Sequence, residues 1–136
     1  MLISGFSPRT RALLGQVFRF CTVGVLNTLV SLLVIYSFML FFKYSVGFAN
    51  VIGYAVGLIC SFILNWIWTF KSKQSIFYVL PKYLLGFVVS YLVNLYVVLF
   101  MATVVNPYLS QIFGMAAYII VFFFVSRFFV FSSKKK

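Results

Sequence analysis

The fold of this chain is decided by the stretch VGFANVIGYAVGLICSFILNWIWTF, which occupies residues 46–70 and contains no charged side chain. An α-helix needs about 20 apolar residues to cross the ~30 Å hydrocarbon core of a bilayer. Three further stretches meet that length: Phe20–Phe42, Tyr83–Val105 and Tyr108–Phe131. None shows the alternating hydrophobicity of a transmembrane β-strand. The sequence therefore predicts an all-α membrane protein with four transmembrane helices.

The composition excludes several classes of function. The chain of 136 residues has 11 Lys and Arg residues but no Asp, Glu or His. It therefore lacks ordinary general bases and the acidic groups of proton relays and cation channels, which argues against an enzyme, a drug/proton antiporter and a cation channel. Cys21 and Cys60 have no second ligand at metal-binding spacing. We expect neither a metal nor another cofactor.

The charges also predict the topology. Ten of the eleven positive charges lie in the two terminal segments and the middle loop, and Lys43 alone lies on the opposite side. The positive-inside rule then places both termini in the cytoplasm of a multi-pass protein of the inner, or cytoplasmic, membrane. Since these charges flank lipid-spanning helices, we expect membrane lipids as partners and no nucleic acid.

The second and fourth helices end alike, which indicates an internal repeat. At an offset of 61 residues, Asn65–Phe70 aligns with Ser126–Phe131. The chain is predicted to be one transmembrane domain, 1–136, with two parallel two-helix repeats at about 18–70 and 80–131, related by an axis along the membrane normal. Lys71 to Pro81 is predicted to be the loop between them, with Pro81 at the start of the third helix. Asn106-Pro107 is predicted to be a tight turn.

Small and weakly polar residues recur at helical spacing in these stretches. Such stripes let helices approach closely in a membrane, and Asn side chains form hydrogen bonds across them. For the glycines we favour close packing, whereas for the asparagines packing and ligand contact stay equally open. The stripes comprise Gly24, Asn27 and Ser31 on the first helix; Gly53, Gly57, Ser61 and Asn65 on the second; Gly86, Ser90 and Asn94 on the third; and Gly114 and Ala117 on the fourth.

These residues resemble the GtrA-like family of membrane proteins over almost the whole chain. The resemblance lies in a Phe-x-x-Val-Gly-x-x-Asn pattern, an Ala-Asn pair, an Asn-x-x-Trp-Thr-Phe ending and an Arg-x-x-Val-Phe ending. Two positions depart from the family pattern: Ser61 stands where Asn is usual, and Trp66 where Arg is usual. The matching residues are Phe20, Val23, Gly24 and Asn27; Ala49 and Asn50; Phe62, Asn65, Trp68, Thr69 and Phe70; and Arg127, Val130 and Phe131.

The resemblance implies movement of a polyprenyl-phosphate-linked sugar from the cytoplasmic to the outer leaflet, for glycosylation of cell-envelope polysaccharide or teichoic acid. It implies a membrane glycosyltransferase as partner, and a homo-oligomer is possible. A non-transporting scaffold that anchors the glycosyltransferase is the alternative. An anionic headgroup needs cations near the cytoplasmic leaflet, so the candidate substrate-binding residues are Arg127, Arg19, Lys82, Asn65, Asn27, Asn94 and Trp68. For the three cations, topology and snorkelling are the competing explanation.

Overall fold

A computed structural model describes residues 7–132, and this part of the chain contains helices and no strand. The four α-helices are α1 (Pro8–Leu40), α2 (Val46–Leu64), α3 (Ile76–Met101) and α4 (Pro107–Val125). Two short π-helices follow α2 and α4 directly: the first π-segment (Asn65–Thr69) and the second π-segment (Ser126–Val130). Four helical spans are long and apolar enough to cross a membrane. The predicted all-α class with four spanning helices is therefore confirmed.

Three of the helices begin at polar caps that accept a backbone hydrogen bond. The Thr10 amide donates to Ser7 Oγ at 3.3 Å, and the Phe48 amide donates to Ser45 Oγ at 3.4 Å. The Leu109 amide donates to Asn106 Oδ1 at 2.9 Å, with Pro107 at the first position of α4. Such caps satisfy amides that have no partner within the helix. The predicted Asn106-Pro107 turn is thus the capped start of α4.

Two helices begin earlier than the apolar runs predict. α1 starts at Pro8, twelve residues before Phe20, because backbone hydrogen bonding continues a helix beyond its lipid-spanning part. α3 starts at Ile76, so Pro81 lies inside the helix rather than at its start. The predicted loop from Lys71 to Pro81 is wrong over its second half. Proline removes one helical hydrogen bond but does not end a helix that packing holds together.

Contacts divide the chain between Lys71 and Ser72 into two compact units. Hairpin one consists of α1, α2 and the first π-segment. Every fourth residue is buried from Ala49 of α2 to Thr69 of the π-segment. Opposite them, α1 buries Phe20, Val23, Ser31 and Ile35. A Cβ built at Gly53 would lie 2.9 Å from the Ser31 carbonyl oxygen, so only glycine allows this approach. The buried row is Ala49, Gly53, Gly57, Ser61, Asn65 and Thr69.

Hairpin two consists of α3, α4 and the second π-segment, and it packs in the same register. The row that faces α3 runs from Ser110 to Val130, again at every fourth residue and at the offset of 61 residues. Here the large side chain of Phe122 lies on α4 and packs against Gly86 of α3. Gly114 lies against Asn94, much as Gly53 lies against Ser31. The repeat, its symmetry axis and the single domain stay predictions.

The predicted small-residue stripes are partly wrong on α1. Gly24 is exposed, and a Cβ built there would meet no atom within 4 Å. Val23 is fully buried instead. A spacing of three or four residues does not fix the exact direction of a helix face, which explains the shift by one residue. The stripe prediction does hold for Gly53, Gly57, Gly86 and Gly114, all of which are buried.

Candidate functional site

The two π-segments form the ends of the hairpins where α1 and α3 begin. The Phe70 amide donates to the Asn65 carbonyl at 2.9 Å, and the Phe131 amide donates to the Ser126 carbonyl at 2.8 Å. Both bonds span five residues instead of four. A π-turn widens the helix and is frequent at functional sites.

In hairpin two, Lys82 of α3 lies against the second π-segment. Its Nζ is 3.8 Å from the ring centroid of Tyr78 and 5.3 Å from the ring centroid of Phe129. Both rings are within the ~6 Å range of cation–π attraction. Two aromatic faces therefore hold this ammonium group at the end of the hairpin.

Arg127 is the second residue of the second π-segment and is half-buried, with its Cζ 5.6 Å from the ring centroid of Phe128. The neighbouring Ser126 is fully buried, and its Oγ has no hydrogen-bond partner among residues 7–132. Tyr83 supports this end of the hairpin, with its ring 5.1 Å from that of Phe122 and 6.1 Å from that of Phe131. Lys82, Ser126 and Arg127 thus occupy one end of hairpin two.

Hairpin one places its candidate residues at the corresponding end. Phe20 of α1 packs edge-on against Phe70, with 6.2 Å between ring centroids, so the neighbouring Arg19 lies near the first π-segment. Asn65 is buried and donates from Nδ2 to Ser61 Oγ at 3.3 Å. Trp68 belongs to the same π-segment but is 39% exposed. Arg19, Asn65 and Trp68 are therefore brought to one end of hairpin one.

The structure does not bring Asn27 and Asn94 to these cationic ends. Asn27 lies against Gly57, and Asn94 lies against Gly114. Along their helices they are about 12 Å from Arg19 and about 18 Å from Lys82, at 1.5 Å per residue. Both side chains therefore lie in helix contacts, and Asn27 Oδ1 is buried with no hydrogen-bond partner within residues 7–132. Contact with a ligand headgroup at the cationic end would require that ligand to reach two or three helical turns deeper.

The sequence does not single out three residues of the π-segments whose buried polar atoms have no hydrogen-bond partner in the described part of the chain. They are Trp66, Thr69 and Ser126; outside the π-segments, Gln74 has a side-chain nitrogen of the same kind. Buried polar atoms of this kind usually have partners in native proteins. The alignment of the two helix endings drew attention to these positions, but composition does not reveal which side-chain atoms are buried.

The geometry defines a multi-pass membrane protein with half-buried cations at the π-helical end of each hairpin. Residues 19–131 match the family described as GtrA/DPMS, transmembrane domain, and since this covers most of the chain, the protein belongs to that family. No significant match was found among curated proteins or solved structures. The predicted family is confirmed, and membership indicates a membrane function related to polyprenyl-phosphate sugars.

Proposed function

We propose that this protein moves a polyprenyl-phosphate-linked sugar across the cytoplasmic membrane to the outer leaflet, where it serves glycosylation of cell-envelope polysaccharide or teichoic acid. The observation that carries the proposal is the end of hairpin two. There, Lys82 is held between two aromatic rings and Arg127 is half-buried in the adjoining π-segment. The chain contains no Asp or Glu. A site built from such cations is suited to an anionic ligand.

The two cations have complementary chemistry toward a phosphodiester. The planar guanidinium of Arg127 can donate two parallel hydrogen bonds to two phosphate oxygens, whereas the Lys82 ammonium acts as a compact charge. Buried Ser126 adds a hydroxyl beside Arg127. The polyprenyl tail would remain in the bilayer against the exposed apolar side chains of the helices, as lipids do.

Transport rather than catalysis accounts best for this set of residues. Cleaving or forming a sugar–phosphate bond calls for general acid–base groups, and the side chains at this end are Lys, Arg, Ser and aromatic residues. Moving the lipid requires binding of the headgroup, its passage between the leaflets and its release, and none of these steps breaks a covalent bond. We therefore propose a carrier that receives its substrate from a membrane glycosyltransferase and is not itself an enzyme.

The second candidate function is a scaffold that anchors the glycosyltransferase, and one feature of α1 favours it. The twelve residues of α1 before Phe20 extend the helix by about 18 Å beyond the apolar run. Leu14, Val17 and Phe18 in this extension are exposed, and Phe18 is 72% exposed. Such an apolar surface next to the cytoplasmic leaflet would suit an enzyme that works there. A homo-oligomer stays a prediction.

Transport by the protein alone separates the two functions. Liposomes containing only this protein would carry a short-chain, fluorescent polyprenyl-phosphate sugar in both leaflets, and a membrane-impermeant reagent would quench the outer label. We expect the protected inner half to become accessible within minutes in liposomes with protein, and to stay protected in protein-free liposomes. Continued protection in the presence of folded protein would refute the transport proposal and favour the scaffold.

A further inference from the structure

Hairpin one has a group of hydrogen-bond donors at its π-helical end, which we call the Arg19–Trp66–Thr69 cluster. Arg19 Nε, Trp66 Nε1 and Thr69 Oγ1 are buried atoms with no hydrogen-bond partner within residues 7–132. Thr69 itself is 1% exposed. A donor that is buried without a partner costs free energy. A ligand that accepts hydrogen bonds from these three donors would therefore stabilise this end of the hairpin.

Helix packing places the three residues at the same end of hairpin one. α1 packs against the first π-segment, and the rings of Phe20 and Phe70 lie 6.2 Å apart. Arg19 and Thr69 directly precede these two residues in the chain. Trp66 belongs to the same π-segment as Thr69, and its ring stacks on Phe62 at 6.0 Å. The cluster therefore lies within one turn of the Phe20–Phe70 contact.

The donor chemistry of the cluster selects an anion. A guanidinium stays protonated and accepts no hydrogen bond, and an indole N–H also only donates. The Thr69 hydroxyl can donate as well. A water molecule accepts at most two of these bonds and carries no charge to complement that of Arg19. A phosphate group offers several oxygens and the opposite charge, and it forms the shorter, stronger bonds of charged partners.

We propose that the Arg19–Trp66–Thr69 cluster is a second phosphate-binding site, which takes the phosphate of a lipid headgroup and differs chemically from the site at Arg127. The inference rests on the proposed function for the class of ligand, but not on the role of Arg127. At the aligned position of the π-segment, the neutral indole of Trp66 stands in place of a guanidinium. Hairpin one therefore binds phosphate through one cation and two neutral donors.

The test measures binding of a short-chain polyprenyl phosphate to the purified full chain carrying Arg127→Ala and Lys82→Gln, so that both cations proposed to bind phosphate in hairpin two are removed. We expect Arg19→Gln to raise Kd about tenfold, and Thr69→Val or Trp66→Phe to raise it at least threefold, since each removes one hydrogen bond to a charged group. The matched controls are Arg9→Gln, at an exposed helix start, and Thr28→Val, whose hydroxyl donates to the Gly24 carbonyl at 3.1 Å. Both controls should leave Kd unchanged.

A spectroscopic measurement tests the same site and leaves Arg19, Trp66 and Thr69 unchanged. In the Trp68→Phe variant, Trp66 is the single tryptophan of the chain. We expect polyprenyl phosphate to shift its emission because the indole N–H gains a partner, and we expect dephosphorylated polyprenol to have no effect. If inorganic phosphate saturates the same shift at a concentration similar to that of the lipid, the cluster is a site for free phosphate. If the lipid saturates the shift at a far lower concentration than inorganic phosphate, the cluster is a site for the lipid headgroup.

Two outcomes would overturn the inference. One is an unchanged Kd in folded Arg19→Gln and Thr69→Val variants, and the other is an equal emission shift with polyprenol. Neither result tests the role of Arg127 in transport. That role is tested separately, by transport measurements on chains with an intact second hairpin. Conversely, transport that survives Arg127→Ala would refute the role of Arg127 and leave the phosphate site of hairpin one standing.

Discussion

At the scale of single residues, the two hairpins differ in charge at the second position of their π-segments. Arg127 occupies this position in hairpin two and Trp66 in hairpin one. An arginine can bind two phosphate oxygens at once, while an indole offers a single neutral donor. The positive charge of the proposed transport site therefore lies mainly in hairpin two, where Lys82 lies against the π-segment that contains Arg127.

We expect Arg127→Ala to abolish envelope glycosylation without lowering the amount of protein in the membrane, because it removes the bidentate contact to the headgroup. Arg127→Lys should retain part of the activity, since lysine keeps the charge but loses the fork geometry. Glycosylation of the envelope polymer and the protein level would be measured in the same cells. Lys73→Ala is the matched control, because Lys73 is exposed in the loop before α3. Full glycosylation by Arg127→Ala at normal abundance would favour snorkelling as the role of Arg127.

Part of the site was predictable from the sequence. Arg127 is conspicuous as a charge within an apolar run, and Arg19 and Lys82 adjoin the other runs. Trp66, Thr69 and Ser126 were missed because their importance depends on which atoms are buried without a partner. That property arises from helix packing and from the wider turn of the π-segments, which have no distinctive composition.

At the scale of helices, the apolar runs predict the number of spans but not where the helices begin. Hydrophobicity marks the part of a helix that lies in lipid, whereas backbone hydrogen bonds continue through residues of mixed polarity. This explains why α1 includes Arg9, Arg11 and Arg19, and why α3 continues through Pro81. The contact residues were predictable on α2 because its small residues recur at intervals of four.

The glycine row of α2 leads to a prediction about stability. We expect Gly53→Ala to destabilise hairpin one by about 1–3 kcal/mol, the usual cost of overpacking, because its Cβ would press on the Ser31 carbonyl and on Ile35. Gly24→Ala is the control on α1, since a Cβ there meets no atom within 4 Å. Thermal unfolding of both variants in the same detergent would measure the difference. Equal melting temperatures would show that the helices of hairpin one separate easily enough to admit a methyl group.

At the scale of the whole molecule, the distribution of charge predicts the membrane topology of each hairpin. In each hairpin, the basic residue at the start of the apolar run lies at the π-helical end, Arg19 in hairpin one and Lys82 in hairpin two. Lys43 lies in the turn at the other end of hairpin one, between α1 and α2. Two crossings per hairpin would then place both π-helical ends on the same, cytoplasmic side.

This topology predicts that reporters fused at the two ends of a hairpin will lie on opposite sides of the membrane. A fusion at Ser133, which lies outside the described residues, should be active as a cytoplasmic reporter, and one near Lys43 should be active only as an external reporter. The reason is the distribution of charge, ten positive residues on one side against one on the other. A fusion after Lys73, in the loop between the hairpins, is the control and should match Ser133. Reporters at Ser133 and Lys43 that report the same side would contradict both the even number of crossings and the cytoplasmic position of the proposed phosphate sites.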